Sequence, residues 1–218
     1  MSRALFLRHG ESAHNAHRGA EMLGEDEGDL LTERGVAQAR AAAAALRDEG
    51  VTQLLCSPMR RARETAAALE AELGLKAEER DYVGEWRVGE GFSELLARVR
   101  RLRAELEAEA GELSAEAGVE VDAPGQGTSR TASAVGLPLL VGHGIFFRVF
   151  LLDLVLGEEV TNSLDEAGTA RAMERIWRMG SHNCGLSVFA RGESRYPGGA
   201  PIPGWTCLTW MARPWDPP

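Results

Sequence analysis

Short apolar runs alternate with amphipathic stretches along the whole chain. The runs at residues 4–7, 51–56 and 137–141 each lead directly into a polar loop, which is typical of buried strands. Two later strands are predicted over residues 185–191 and 205–211, on either side of a segment rich in glycine and proline. The pattern therefore predicts five strands separated by longer connections.

Helical periodicity and helix-end signals predict helices in those connections. Thr32 is placed to cap a helix that runs to Asp48, and Ser57 with Pro58 is typical of a cap followed by a first helical residue. Three further helices are predicted over residues 92–110, 145–156 and 165–179. Strands alternating with helices indicate an α/β layer fold with a mostly parallel sheet.

Composition places the chain among ordinary soluble globular proteins. It has 218 residues, 44% hydrophobic and 26% charged, which fits one domain with surface insertions near 105–135 and 157–184. The formal charge of −9 argues against a nucleic-acid partner. The longest apolar run, 145–156, is too short to cross a membrane. Three scattered cysteines and the absence of a signal-peptide pattern predict a cytoplasmic location.

Two of the predicted strands end in a histidine followed by glycine. His9 follows the first apolar run and His143 follows the third. Ligands of open α/β sheets bind beyond the carboxyl ends of the strands, so both histidines are candidate site residues. Arg60 and Arg61 follow the second run, in a first helical turn where a bound anion would offset the unfavourable helix dipole. With Arg8 beside His9, the three strand ends predict a site for a phosphoryl group.

These residues lie in motifs that resemble those of the histidine phosphatase superfamily, which includes cofactor-dependent phosphoglycerate mutases. Residues 8–15 resemble the RHGE[ST]xxN signature, and residues 31–39 resemble LTxxGxxQA. Residues 57–66 resemble SPLxRAxxTA, and residues 141–144 resemble the distal histidine motif. The resemblance implies a phosphoglycerate mutase-like, three-layer α/β/α sandwich.

The resemblance also implies a phosphohistidine mechanism. His9 would attack phosphorus as the nucleophile, which divides one difficult hydrolysis into two easier steps. The oxygens of the phosphoryl group would be held where charge spreads in the transition state. The residues that match the family in this role are Arg8, Arg61 and His143, with Asn15 and the backbone of Gly144 as additional donors. Neither a metal nor a cofactor is expected.

The resemblance further implies that an acidic residue between positions 82 and 91 protonates the leaving alkoxide. Glu85 is the better match because Gly89 follows four places on, as in the family. Glu90 is the alternative, because its surroundings resemble a later family motif. Such an acid needs a raised pKa to keep its proton near neutrality, and Trp86 is a candidate for the apolar wall that would raise it.

Three functions are compatible with this sequence. The first is a metal-independent phosphatase acting on a small phosphorylated metabolite, and it is favoured. The second is a mutase-type phosphotransferase, disfavoured because the chain is short and lacks the longer mutase motifs. The third is a non-catalytic phosphate-binding protein, disfavoured because the phosphate-binding motif residues are all present. Relatives form monomers and dimers, so a homodimer stays open.

Several residues outside the motifs have open roles. A solvated helix face is favoured for four arginines, Arg98, Arg100, Arg101 and Arg103. Arg98 lies at the edge of the apolar stripe of that helix, so it is also a candidate to anchor a second anionic group of the substrate. Three later residues are candidates to line the pocket: Trp177, His182 and Asn183.

Overall fold

The computed structural model describes residues 2–16, 29–116, 136–194 and 202–215. Its strands are β1 (Ser2–Arg8), β2 (Gln53–Cys56), β3 (Ala77–Glu79), β4 (Pro138–Gly142), β5 (Leu186–Ser194) and β6 (Ile202–Ala212). Its helices are α1 (Ala13–Ala16), α2 (Glu33–Leu46), α3 (Arg60–Leu73), α4 (Phe92–Glu116), α5 (Gly144–Leu156), α6 (Glu158–Ser163) and α7 (Glu166–Trp177), with a 3-10 turn at Asp81–Val83. No helix in these ranges is long and apolar enough to cross a membrane.

The strands form one six-stranded sheet in the order β3-β2-β4-β1-β5-β6. The first four strands are parallel, and β5 and β6 add antiparallel at one edge, which confirms the predicted mostly parallel sheet. Arg8 pairs with Gly142, and Cys56 pairs with Val141. Because these pairs lie at the carboxyl ends of β1, β2 and β4, the loops that follow the three strands meet at one edge of the sheet.

Helices cover both faces of the sheet, as the family resemblance implied. On one face, Phe6 of β1 packs against Phe147 and Phe150 of α5, with ring centroids 5.0 and 4.8 Å apart, and the same core includes residues of α4. On the other face, residues of α2 and α3 such as Ala42 and Ala66 pack against the sheet. Alternate residues of β1 serve opposite cores, which is the geometry of a strand buried on both faces.

The structure corrects several predicted boundaries. The helix after β2 begins at Arg60, and Ser57 does not cap it: Met59 is the N-cap and has no capping side-chain bond. The Ser57 hydroxyl instead contacts His143, in the loop after β4. The short edge strand β3 contains no apolar run, so the hydrophobic pattern does not predict it. The helix predicted to end near residue 110 continues to Glu116, and residues 117–135 of the predicted insertion lie outside the described residues.

Candidate functional site

The turn after β1 is shaped by close contact between two glycine backbones. A Cβ on Gly10 would lie 2.5 Å from the carbonyl oxygen of Gly35, in the first turn of α2. Thr32 caps that helix as predicted, accepting from the Gly35 amide at 3.0 Å. The Gly10 amide donates to the Thr65 hydroxyl of α3 at 3.0 Å. These contacts hold His9 at a fixed position between two helices.

His9 is buried and held in a single tautomer. Its Nδ1 lies 2.7 Å from the Gly10 carbonyl oxygen, which only accepts, so Nδ1 carries the proton. Its Nε2 accepts from the Arg61 Nε–H at 3.1 Å. Burial lowers the pKa of His9 well below its usual value, and His143, Arg8 and Arg61 lower it further by charge repulsion. The ring is therefore neutral, with its Nε2 lone pair directed at a cation.

His143, at the start of α5, is neutral for the same reasons. Its Nδ1 accepts from Arg61 Nη2 at 3.2 Å, and its Nε2 lies 2.7 Å from the Ser57 hydroxyl, so Nε2 carries the proton. Burial and the charges of Arg61 and Arg8 hold the pKa of His143 well below its usual value. The His9 and His143 ring centroids are 5.2 Å apart, so the two predicted histidines share one site.

Arg61 joins the components of this site. One guanidinium contacts His9 through Nε, His143 through Nη2, and the carboxylate of Asp29 through Nη1. The second carboxylate oxygen of Asp29 accepts from the Arg60 amide at 2.7 Å, at the start of α3. The Arg60 side chain points outward and pairs with Glu64. The structure thus places Arg61, and not Arg60, in the site, in agreement with the motif alignment.

Arg8 completes the group of cations. Its Nη1 donates to the Ser181 carbonyl oxygen at 2.5 Å, while its buried Nε has no hydrogen-bond partner in the described part of the chain. Burial lowers the pKa of Arg8 to about 10, so the guanidinium still carries its charge at neutral pH. A buried donor without a partner is costly, and a bound anion would satisfy it.

The two predicted backbone and amide donors also lie here. The Asn15 Oδ1 accepts from Asn183 Nδ2 at 2.9 Å, which leaves the Asn15 amide nitrogen to donate elsewhere. Asn183 also donates to the His9 carbonyl oxygen at 3.2 Å, so it is a member of the site. A Cβ on Gly144 would lie 3.4 Å from Arg8 Nε and 2.5 Å from the Ser181 hydroxyl. A larger residue at Gly144 would therefore fill the space beside Arg8.

The two candidate acids differ sharply in their surroundings. Glu90 forms two hydrogen bonds of 2.6 Å with Arg98, and these bonds lower the pKa of Glu90 against the opposing effect of burial. It is ionised at neutral pH and has no proton to donate. Glu85 is half-buried, and its carboxylate accepts from the Trp86 amide at 3.1 Å. Its charge acts on both Arg8 and Arg148, so Glu85 lies within range of charge interaction with these two arginines.

Arg98 is occupied in holding this loop. Besides Glu90, it donates to the carbonyl oxygens of Tyr82 and Gly84 at 2.7 and 2.8 Å. Its guanidinium has no free donor edge for a substrate, so the expectation that it anchors a second anionic group is wrong. Its contacts instead fix the turn that carries Glu85.

Comparison with known proteins agrees with this geometry. A family model of the histidine phosphatase superfamily (branch 1) matches residues 4–196. The chain belongs to this superfamily. Membership places it among phosphatases and phosphoglycerate mutase-like enzymes and confirms the resemblance carried by the four motifs. No curated protein sequence matches the chain significantly.

Solved structures share the fold at low sequence identity. A mycobacterial glucosyl-3-phosphoglycerate phosphatase, solved in complex with VO3, has a TM-score of 0.64 and 20% identity, covering 97% of this chain and 100% of its own. A phosphoserine phosphatase from Entamoeba histolytica, in complex with 3-phosphoglyceric acid, has a TM-score of 0.54 and 17% identity, covering 99% of both chains. A mycobacterial hydrolase has a TM-score of 0.61 and 22% identity, covering 98% of this chain and 100% of its own.

Sequence reasoning missed two members of this site. The pattern around Ser57 predicts a helix cap; its place as the first residue of the motif at residues 57–66 is the one signal for a role in the site, and the bond to His143, 86 residues away, is not predicted. Asp29 lies two residues before the motif at residues 31–39, and that position is the single signal that could have drawn attention to it. Among the described residues, no group of three or more histidine, cysteine, aspartate or glutamate side chains is arranged to hold a metal ion.

Proposed function

We propose that this chain is a phosphatase that hydrolyses a small phosphomonoester through a phosphohistidine on His9. The observation that carries the proposal is the buried, neutral His9 ring, whose Nε2 lone pair faces the Arg61 guanidinium at 3.1 Å. A neutral nitrogen nucleophile suits attack on a dianionic phosphoryl group, because the dianion would repel an anionic nucleophile. The fixed cations around His9 offset the negative charge of the phosphoryl group.

In the first step, His9 Nε2 forms a bond to phosphorus while the bond between phosphorus and the ester oxygen breaks. The Glu85 carboxyl gives its proton to the departing alkoxide, which leaves as an alcohol. In the second step, a water molecule attacks the phosphohistidine and gives a proton to the Glu85 carboxylate. The P–N bond breaks, inorganic phosphate leaves, and Glu85 regains the proton needed for the next cycle.

Arg8, Arg61 and His143 would bind the three phosphoryl oxygens. The two arginines donate from fixed directions, which suits a planar array of oxygens better than a lysine would. His143 is neutral in the free protein, and a dianion beside it favours the imidazolium form. We therefore expect His143 to take up a proton when phosphate binds and to donate from Nδ1. Asn15 and the Gly144 amide add neutral donors.

Hydrolysis is favoured over mutase chemistry because similar structures carry phosphatase names, including glucosyl-3-phosphoglycerate and phosphoserine phosphatases. No step above requires a metal ion or an organic cofactor. The substrate class is a small phosphorylated metabolite, and the net charge of −9 disfavours a nucleic-acid substrate. None of the three cysteines forms a disulfide, which supports a reducing compartment such as the cytoplasm.

The His9→Ala variant tests the proposal, with the exposed His14→Ala of α1 as its matched control. We expect the wild type and His14→Ala to hydrolyse p-nitrophenyl phosphate in the presence of a chelator, and His9→Ala to lose at least about a thousandfold in kcat. An acid-labile phosphoprotein should be trapped from the wild type and not from His9→Ala. Activity that survives in His9→Ala, or that a chelator abolishes, would contradict the mechanism.

A further inference from the structure

Arg148 lies on the same face of α5 as Gly144. The two residues are four positions apart, which places them one above the other, about 6 Å along the helix axis. Side chains of an α-helix tilt toward its N-terminus, so the Arg148 side chain leans back over the turn that begins at His143. The helix therefore directs a second cation toward the edge of the phosphate site.

Arg148 is buried, and no polar group among the described residues bonds to it. It is 7% exposed, its Nε is buried without a hydrogen bond, and no ion pair reaches it within residues 2–16, 29–116, 136–194 and 202–215. Its guanidinium lies against the indole ring of Trp177, 4.8 Å from the ring centroid. Arginine is almost never fully buried unless it is paired, because the charge loses its hydration.

The contrast with Asp153 on the same helix is informative. Asp153 is 1% exposed, and its carboxylate is bound by Arg100, Arg103 and the Thr161 hydroxyl. Five positions earlier on the helix, Arg148 lies against an aromatic ring and forms no ion pair with the described residues. A buried cation that is left unpaired beside a phosphate site indicates that its partner arrives with a ligand.

Charge interactions locate Arg148 relative to the reacting groups. The Arg148 charge acts on Arg8, and Glu85 acts on both arginines. Arg148 therefore lies within range of charge interaction with both Arg8 and Glu85, the residue proposed to protonate the leaving alkoxide. Trp177, at the end of α7, is 56% exposed, so the ring that stacks on Arg148 reaches solvent.

We propose that Arg148, supported by Trp177, binds a second anionic group carried by the leaving alcohol of the substrate. This inference rests on the proposed phosphatase function and narrows its substrate class to compact phosphomonoesters that also bear a carboxylate or a second phosphoryl group. It gives Arg148 the role that the sequence suggested for Arg98, whose donors are committed to the Glu85 loop.

Matched substrate pairs test this inference on the full chain. 3-Phosphoglycerate and glycerol 3-phosphate differ by a carboxylate in place of a hydroxymethyl group. Propane-1,3-diol bisphosphate and its monophosphate form a second pair, which differs by the presence of a second phosphoryl group. The measured quantity is the ratio of kcat/KM within each pair. We expect the wild type to prefer the second anion by about 10- to 100-fold in at least one pair, as a charge-assisted contact would give.

The Arg148→Met variant should reduce that ratio to near unity, and Arg148→Lys should retain part of it. Arg171→Met, which removes an exposed arginine of α7, is the control and should leave the ratio unchanged. Thermal unfolding identifies any variant that fails to fold, and in that case Trp177→Leu, at an exposed position, replaces Arg148→Met and should lower the ratio. A ratio that Arg148→Met leaves unaltered, or a wild type without preference, overturns the inference.

Binding distinguishes failure of this inference from failure of the proposed function. Titration calorimetry on the His9→Ala protein measures affinity for the same pairs without turnover. If the wild type hydrolyses p-nitrophenyl phosphate but neither turnover nor binding depends on the second anion, the inference fails and the phosphatase proposal stands. If hydrolysis is absent but Arg148→Met selectively weakens binding of the pair member that carries the second anionic group, the second anion site stands and the proposed chemistry fails.

Discussion

The assignment of Glu85 as the proton donor makes a demanding prediction about Glu85→Gln. The Glu85 carboxylate accepts a hydrogen bond from the Trp86 amide at 3.1 Å, and a glutamine oxygen can accept the same bond. The substitution therefore removes the transferable proton while leaving the local contacts in place.

The size of the effect should depend on the leaving group. A positioned general acid contributes about 10²- to 10⁴-fold to rate, equivalent to about 2.7–5.4 kcal/mol of transition-state stabilisation. We expect Glu85→Gln to lose that factor in kcat with an alkyl phosphate such as glycerol 3-phosphate, whose alkoxide must be protonated as it leaves. With p-nitrophenyl phosphate the loss should be under about tenfold, because nitrophenolate departs without a proton.

Glu90→Gln should behave differently. It breaks the paired bonds between Glu90 and Arg98, whose side chains are 8% and 12% exposed. Breaking a buried ion pair costs about 3–5 kcal/mol, and a glutamine that still hydrogen-bonds to Arg98 should reduce this to about 1–3 kcal/mol. Because Arg98 holds the loop that carries Glu85, both substrates should lose activity by a similar factor, together with a lower urea midpoint.

Steady-state kinetics on both substrates, with urea unfolding of each variant, separate these outcomes. The ratio of kcat for alkyl to aryl phosphate should fall at least about tenfold in Glu85→Gln and stay near the wild-type value in Glu90→Gln. A selective loss in Glu90→Gln would refute the assignment. Uniform effects in both variants would mean that the proton comes from a different group.

Two further predictions concern stability. Gly35→Ala should lower the free energy of unfolding in urea by at least about 1–3 kcal/mol, because the new Cβ would lie 2.0 Å from the Glu11 carbonyl oxygen. The control Gly91→Ala should change that free energy by under about 0.5 kcal/mol. Below about pH 6.5, His9 and His143 bind protons in the unfolded chain but stay neutral in the native protein, where both are buried. The unfolding free energy should therefore fall with decreasing pH, by up to about 1.4 kcal/mol per pH unit for each histidine. His9→Ala should roughly halve that slope, and an unchanged slope would show that His9 is protonated in the native state.

The central part of the site could be predicted because it depends on local patterns and one general rule. His9 and His143 each follow a short apolar run, and parallel strands bring their carboxyl ends to one edge of the sheet. That rule needs no knowledge of which strand pairs with which. The motif alignment then selected Arg61 over Arg60, and the opposite orientations of the two side chains agree with the selection.

The remaining part depends on contacts between distant segments, which local patterns do not encode. The four arginines of α4 illustrate this, because their spacing favoured a solvated face. Arg100 and Arg103 instead bind the buried Asp153 of α5 across the interface between the two helices. A charge looks solvated in sequence whenever its partner lies far along the chain, and α4 and α5 are separated by residues 117–143.

The net charge of −9 and the cationic site are compatible because they act over different distances. Exposed charges are screened over about 8 Å at physiological ionic strength, whereas buried charges are screened much less. Burial, together with the charges of Arg8 and Arg61, keeps both histidines unprotonated before substrate arrives. The proposed mechanism predicts that a bound dianion reverses the sign of the field at His143. His143 would then take up a proton and donate a hydrogen bond to a phosphoryl oxygen, while the neutral His9 acts as the nucleophile.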